Sequence, residues 1–144
     1  MAARPDLRGT RTHDHLRAAF ARDAQAARLF AEFSRLAALE GYPAVAQVLG
    51  ELADTEILVV GGHLDFLRRV GEPLGDAPVE GTTAALRALR AALEQDRLET
   101  LPDQVQAAQS EGFFDIASWF ETLALTRLHH RERLDALLRT LEEE

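Results

Sequence analysis

The segment LALTRLHHRERL, residues 123–134, places an arginine and a histidine on the apolar face of a predicted helix. Leu123, Arg127, His130 and Leu134 are spaced four, three and four residues apart, so they share one helix face. An imidazole binds metal ions, and a guanidinium binds carboxylates. This face therefore indicates a metal site, the remains of one, or neither.

The composition excludes several kinds of chemistry. The 144 residues include no cysteine, which excludes disulfides, thiolate nucleophiles, iron–sulfur clusters and cysteine-bound zinc. They also include no lysine, which excludes a P-loop and Schiff-base catalysis. The net charge of -8 argues against a nucleic-acid partner, for which a basic face is expected.

Neither a secretion signal nor a membrane span is predicted. The first residues, MAARPDLRGT, lack an apolar run behind their arginines. The longest aliphatic run, ILVV at 57–60, is far shorter than the roughly 20 residues that span a bilayer. We expect a soluble, cytoplasmic protein with no membrane partner.

Four long amphipathic helices are predicted from a composition dominated by alanine, leucine, arginine and glutamate. The first runs from about Thr12 to Glu40, and the second begins at Pro43, after a C-capping Gly41. The third begins near Thr82, and the fourth runs from about Phe113 to the acidic end. This pattern predicts a single all-α domain over residues 1–144, a four-helix bundle with a lead-in at 1–11.

The second half of the sequence repeats the first at a constant offset. LEGYPAVAQVLGELADTE (39–56) lies over SEGFFDIASWFETLALTR (110–127), with Glu-Gly-aromatic, alanine, Leu-Ala and threonine positions in common. Gly41 thus matches Gly112, and we call this spacing the repeat offset. The repeat predicts two related helix hairpins, and the loop at 71–81 is then the one long crossover between them.

The opening LRGTRTHDHLRAAFARDAQAARLFAEFSRLAALEGY resembles the start of rubrerythrins, with its Gly-Thr-x-Thr lead-in and Phe-Ala-x-acid-x-Gln-Ala core. LPDQVQAAQSEGFFDIASWFETLA is similar to the second hairpin of that family, and the resemblance covers about residues 7–138. It implies a ferritin-like fold with a di-iron carboxylate site, built from single glutamates, Glu-x-x-Glu and Glu-x-x-His motifs. Rubrerythrins usually carry a cysteine-bound rubredoxin module, so we expect a divergent member that lacks it.

The resemblance implies seven ligand positions, and the ligand set at these positions is incomplete. Four keep a side chain that can bind metal: Asp23, Glu56, Asp96 and His130. Three do not: Val59, Leu93 and Arg127.

The register of the third helix is open by one residue. Counting back from Pro102 places the Glu-x-x-Glu motif on Leu93 and Asp96, whereas adding the repeat offset to Asp23 places it on Glu94 and Arg97. We prefer the first register, because Leu93 and Asp96 continue an apolar stripe.

We expect Arg127 to replace the metal ions. A guanidinium repels cations and binds carboxylates through a planar fork of donors. It would neutralise Asp23, Glu56 and Asp96, since unpaired buried carboxylates cost several kcal/mol each. A one-metal site on Glu56, Asp96 and His130, and a working two-metal site with iron or manganese, remain open.

Two functional hypotheses follow. The first is a scaffold without catalytic residues, with a degenerate di-iron site and no cofactor, which forms a homodimer or binds a protein partner. The alternative, implied by the resemblance, is an oxidoreductase that reduces peroxide or activates oxygen with an external electron donor.

Several other residues carry expectations of their own. We expect His13 and His15 to be exposed to solvent, with an adventitious metal site as the alternative. We expect His63 to be a satisfied core or loop-end histidine, with a displaced metal ligand as the alternative. The pair Gly61-Gly62 predicts close approach by another helix or a second subunit, with a kink as the alternative.

Overall fold

The described chain is helical throughout. The structure, a computed structural model, describes residues 5–75 and 77–143. Its helices are α1 (Arg11–Leu39), α2 (Pro43–Leu67), α3 (Thr82–Gln95), α4 (Leu101–Ser110) and α5 (Phe114–Glu143). A 3-10 turn, Arg68–Val70, follows α2, and a π-helical turn, Asp96–Thr100, joins α3 to α4. No strand occurs in the described ranges, and the predicted all-α, ferritin-like fold class is confirmed.

The chain divides into two compact units, and each contains one helical hairpin. The first unit, Met1–Pro78, contains α1 and α2, and the second, Val79–Glu144, contains α3, α4 and α5. We call these the first and second hairpin. The loop predicted at 71–81 lies between the 3-10 turn and α3, and its residue 76 lies outside the described residues. The single domain over 1–144 stays a prediction.

The beginning of α1 is fixed by a side-chain cap. The Thr10 hydroxyl accepts a hydrogen bond from the His13 amide at 3.0 Å and donates one to the Leu7 carbonyl at 2.7 Å. A threonine at this position satisfies an amide that has no partner within the helix. Asp14 in the first turn adds a favourable interaction with the helix dipole. The cap explains why α1 begins at Arg11.

The two hairpins turn in the same way, at positions separated by the repeat offset. Gly41 has a φ of +88° and Gly112 a φ of +86°, the left-handed conformation that ends many helices. The Tyr42 amide donates to the Ala37 carbonyl at 2.9 Å, and the Phe113 amide donates to Ala108 at 2.8 Å. The next helices begin at Pro43 and Phe114, which the same offset relates. The predicted pair of related hairpins is confirmed in the backbone.

The π-helical turn gives a physical reason for the uncertain register of the third helix. The Leu101 amide donates to the Asp96 carbonyl, five residues earlier, instead of four. Such a turn accommodates an extra residue and rotates the residues after it relative to an α-helix. Pro102 lies after this turn, and the repeat position of Asp23 lies before it. The Glu-x-x-Glu register counted back from Pro102 therefore differs by one residue from the register obtained with the repeat offset.

Each hairpin has a small apolar core at the contact between its helices. The buried apolar residues of the first are Ala53, Leu67 and Val70, and those of the second are Leu101, Ala108, Ala117 and Leu138. Leu67 and Leu138 occupy equivalent positions of the repeat. Within the described ranges, no helix combines the length and apolar character needed to cross a membrane.

The prediction that His13 is exposed is wrong. His13 is only 7% exposed, and its Nε2 lies 3.2 Å from Oε1 of Glu72. Arg17 donates from Nε to the same carboxylate at 2.8 Å, and this hydrogen bond is the main reason that the pKa of Glu72 is lowered. The segment after α2 covers the first turn of α1, a long-range contact that helix periodicity does not reveal. His15 is exposed, as expected.

Candidate metal centre

In the first hairpin, Asp23 is paired with bases of the same hairpin. Its Oδ2 lies 2.8 Å from Nε2 of His63, across the contact between α1 and α2. Its Oδ1 accepts a hydrogen bond from Nε of Arg22 at 3.2 Å. These hydrogen bonds, first from Arg22 and then from His63, lower the pKa of Asp23 despite its partial burial. Asp23 is thus an ionised carboxylate with two partners, and His63 is a satisfied, part-buried histidine.

Glu56 differs from Asp23 because one of its oxygens has no partner. Its Oε2 is buried and accepts no hydrogen bond from any described residue. A buried acceptor without a donor is unfavourable, so this atom is available to a cation or a donor. Val59, one turn further along α2, is 37% exposed and carries no donor atom. Among the described residues of the first hairpin, Glu56 thus has a buried oxygen without a partner, and Val59 cannot serve as the histidine that the resemblance implies at its position.

In the second hairpin, Arg127 lies beside Asp96. The Nε of Arg127 is 3.5 Å from Oδ2 of Asp96, and the side chains are 28% and 46% exposed. This is an ion pair between α5 and the π-helical turn, open to solvent on the Asp96 side. Asp23 and Glu56 belong to the first hairpin, so their neutralisation by Arg127 stays a prediction.

Glu94 lies between two arginines. Arg97 donates from Nε and Nη2 to its two carboxylate oxygens at 3.0 and 2.9 Å, and Nη1 of Arg131 is 3.4 Å from Oε2. The hydrogen bond from Arg97 is the main cause of the lowered pKa of Glu94. Arg131 also lies 3.7 Å from Asp135, which pairs with Arg90 of α3. The result is an alternating network of five charged side chains from α3, the π-helical turn and α5.

Sequence reasoning missed Arg131, Asp135 and Arg90. A signal was present, because Arg131 and Asp135 are four residues apart, the spacing of an ion pair along one helix. Nothing in the sequence pattern indicates that Glu94 and Arg90 of α3 complete the network from the other side.

His130 lines an apolar groove of the second hairpin together with Asp96. The groove has a volume of about 490 Å³, and its other lining residues are Leu89, Ala92, Leu93, Arg133, Leu134 and Leu137. Leu93 and Asp96 thus face the groove that contains His130, whereas Glu94 faces the arginines. The choice of Asp96 over Glu94 as the ligand position stays a prediction.

The donor set can be compared with the ligands that two iron ions need. Such a centre takes several carboxylates and one or two imidazoles. In the second hairpin, the carboxylates of Asp96 and Glu94 lie against guanidinium groups. Within the described ranges, no three histidine, aspartate or glutamate side chains are grouped closely enough to hold a metal ion. These residues match a di-iron centre incompletely, with too few free oxygen ligands and too many cations.

Comparisons with known proteins place this chain among rubrerythrins. Rubrerythrin-1 of Clostridium acetobutylicum is 29% identical over 148 residues, which cover 95% of this chain and 74% of the relative. The rubrerythrin of Porphyromonas gingivalis is 32% identical over 146 residues, 95% of this chain and 70% of the relative. The rubrerythrin of Clostridium perfringens is 31% identical, with 95% and 74% covered. No model of a protein family matches the chain.

Proposed function

The chain belongs to the rubrerythrin family, and on that premise we propose that it is a non-catalytic member, a helical scaffold whose di-iron centre has degenerated. The observation that carries the proposal is the ion pair between Arg127 and Asp96, at 3.5 Å. Arg127 occupies the place that the resemblance assigns to a glutamate ligand, and its positive charge stands beside a carboxylate that would otherwise bind metal.

The charge of Arg127 explains why metal would be lost. A glutamate at this position supplies a negative oxygen ligand, whereas a guanidinium is always protonated and has no lone pair to offer. A divalent ion near Asp96 would meet a fixed cation, and it would have to separate the carboxylate from it. The same substitution supplies a counter-charge that the carboxylate needs in the absence of metal.

One observation favours the alternative function. The buried Oε2 of Glu56 has no hydrogen-bond partner among the described residues, as would be expected of a ligand atom without its metal. On this alternative, iron or manganese binds Glu56 with neighbouring donors, and the protein is an oxidoreductase that acts with an external electron donor. The named relatives are rubrerythrins, and this similarity also supports the alternative.

Iron loading separates the two functions. Purified protein is incubated anaerobically with ferrous iron, desalted, and analysed for bound metal and for absorption after exposure to oxygen. We expect well under one equivalent of iron per chain and no oxo-bridge absorption. Retention of about two equivalents, with that absorption, would contradict the scaffold and support the oxidoreductase.

We further propose that the scaffold is a homodimer, with a contact on α2 around Gly61 and Gly62. A Cβ atom built on either glycine meets no described atom within 4 Å, so close approach within the described chain does not account for the pair. Two glycines inside a helix cost roughly 2 kcal/mol relative to alanines. Beside them, Ile57 and Leu58 are 58% and 78% exposed, and a second copy would cover this apolar surface.

Light scattering tests the dimer at micromolar concentration. We expect a dimer for the wild type and a shift toward monomer for Leu58→Glu, which places a charge in the contact. Leu39→Glu is the matched control, because Leu39 is 72% exposed at the end of α1 and lies outside the proposed contact. A monomeric wild type would refute the contact, and so would equal effects of the two variants.

A further inference from the structure

We infer that each hairpin excludes metal ions by its own ion pairs. The carboxylates at equivalent sequence positions of the repeat, Asp23 and Glu94, are each held by a base on the opposite helix of the same hairpin, α2 or α5. The bases are His63 in the first hairpin and Arg131 in the second. The inference rests on the proposed degenerate centre. It assigns a part in metal exclusion to residues other than Arg127.

The equivalence of the two carboxylates comes from the repeat. The repeat offset relates Asp23 to Glu94, just as it relates the starts of α1 and α3 at Arg11 and Thr82. Each acid lies on the first helix of its hairpin, and both side chains are largely buried, at 15% and 18% exposed. Equivalent sequence positions of the two halves, the second of them before the π-helical turn, thus carry a largely buried acid.

The partners, in contrast, come from different places. His63 reaches Asp23 at 2.8 Å, and Arg131 reaches Glu94 at 3.4 Å. The repeat position of Arg131 in the first hairpin is Val60, and that of His63 in the second is Leu134, so the two bases lie at different positions of the repeat. Each hairpin has a local cation as well, Arg22 beside Asp23 and Arg97 beside Glu94. Bases at two different positions of the repeat thus produce a similar pairing in the two hairpins.

The arrangement competes directly with metal binding. A divalent ion that approaches Glu94 has to displace Arg97, which holds both oxygens, as well as Arg131; bidentate pairs of this kind are among the strongest charge-assisted hydrogen bonds. An ion that approaches Asp23 has to displace Arg22 and His63. The second hairpin is the stronger barrier, because an arginine cannot lose its proton and become a ligand, whereas an imidazole can bind metal.

A double-mutant cycle in the metal-free protein tests the pairs. Glu94→Gln and Arg131→Met should each lower the melting temperature by about 2 to 4 °C, and the double variant should lose clearly less than the sum. Arg131→Lys, which keeps the charge, should recover part of the loss. Arg139→Met, at an exposed arginine of the same helix, is the control and should change little. Asp23→Asn and His63→Leu form the matching cycle in the first hairpin.

Metal-dependent melting tests the exclusion. Excess manganous ion should not raise the melting temperature of the wild type, and it should raise that of Arg97→Met/Arg131→Met, since a ligand that binds only the folded state stabilises it. If that variant does not fold, Arg97→Lys/Arg131→Lys loosens the bidentate contact and should show a smaller rise. A manganese-dependent rise in the wild type would overturn the inference.

The outcomes distinguish this inference from the proposed function. Additive losses in both cycles, with no iron retained, would overturn the paired exclusion and leave the scaffold in place. Retention of two irons by a wild type whose pairs are coupled would instead overturn the scaffold.

Discussion

The two hairpins share the geometry of their turn and differ in the charges they carry and in the π-helical turn that interrupts only the second. In both, the glycine of the turn has a positive φ, +88° at Gly41 and +86° at Gly112. The next helix begins two residues after that glycine. The first hairpin pairs Asp23 with His63 and leaves an oxygen of Glu56 free. The second places Arg127, Arg97 and Arg131 around Asp96 and Glu94. The turn geometry is therefore common to the two hairpins, whereas the partners of their acidic side chains are not.

This difference shows which residues maintain the fold. The turns recur at the repeat offset, as do the buried leucines Leu67 and Leu138, and those are the positions on which helix contacts depend. Asp23 and Glu94 recur as acids with different partners, whereas the repeat equivalent of Glu56 is Arg127. A partly buried acid is stabilised by a counter-charge, which a metal ion, a protonated histidine or an arginine can supply.

The largest expected effect tests whether the two cores are equivalent. Leu67 is fully buried, and its repeat equivalent Leu138 is 8% exposed. Leu67→Ala and Leu138→Ala should each reduce the free energy of unfolding by about 2 to 5 kcal/mol, more for Leu67, because each leaves a cavity. Thermal melts measure both, with Leu58→Ala at an exposed position as the control. A large loss of unfolding free energy in only one hairpin would mean that the shared turn geometry does not imply equivalent packing.

The next effect tests whether the two turns are equivalent. Gly41→Ala and Gly112→Ala place a side chain at φ +88° and +86°, where an L-residue costs about 1 to 2 kcal/mol. We expect equal losses in the melting temperature. Gly50→Ala is the control and should raise the melting temperature, because Gly50 lies inside a helix, where alanine is favoured over glycine. Its added Cβ would lie 3.5 Å from Ser34 Oγ, an ordinary contact. Unequal losses would indicate that one turn is stabilised in a way the other is not.

Local signals in the sequence predicted the helices and turns. Pro43 and Gly41 mark the second helix and its preceding turn, and the observed start of α1 at Arg11 is next to the predicted Thr12. The repeat predicted the second hairpin from the first. Capping and periodicity depend on neighbouring residues, which explains why these features can be read from the chain alone.

The partners of the charged residues could not be predicted in the same way. His13 at the start of α1 is covered by Glu72 from the segment after α2, and Arg90 of α3 pairs with Asp135 of α5. Periodicity gives the face of a helix on which a residue lies, but it does not give the side chain opposite. The π-helical turn at Asp96–Thr100 further changes the face on which residues of the third helix lie. The candidate site is therefore predicted from the sequence as a set of positions, and the ion pairs of those residues come from the structure.

A smaller effect is expected at Arg127. The pair with Asp96 is 3.5 Å long and Asp96 is 46% exposed, so Arg127→Met should cost about 1 kcal/mol or less, as partly exposed pairs do. Arg127→Glu should melt lower still, because it places two acids together, and manganous ion should restore its melting temperature. Thermal melts with and without metal measure both. A loss of several kcal/mol for Arg127→Met would mean that Arg127 neutralises further carboxylates, as the sequence predicts.

The smallest effect concerns acid, and it compares the two equivalent carboxylates directly. The pKa of Asp23 is lowered by hydrogen bonds from Arg22 and His63, and that of Glu94 by the hydrogen bond from Arg97. A carboxyl whose folded pKa lies below its unfolded value of about 4 binds fewer protons in the folded state. It therefore adds stability above that pH, and the contribution is lost as the pH falls through the lowered folded pKa.

Asp23→Asn and Glu94→Gln should for this reason melt below the wild type at pH 7, and the gap should shrink as the pH falls below the unfolded value of about 4 and through the lowered folded pKa. Glu121→Gln, at an exposed glutamate of α5, is the control and should follow the wild type at every pH. The gap should be of similar size in the two hairpins, because each acid has a cation nearby in sequence and a base across the helix contact. A gap that stays constant with pH would mean that the substitutions disturb packing rather than charge. A difference in melting temperature for only one of the two variants would mean that only that acid is stabilised by a counter-charge. The other acid would then be available to a metal ion.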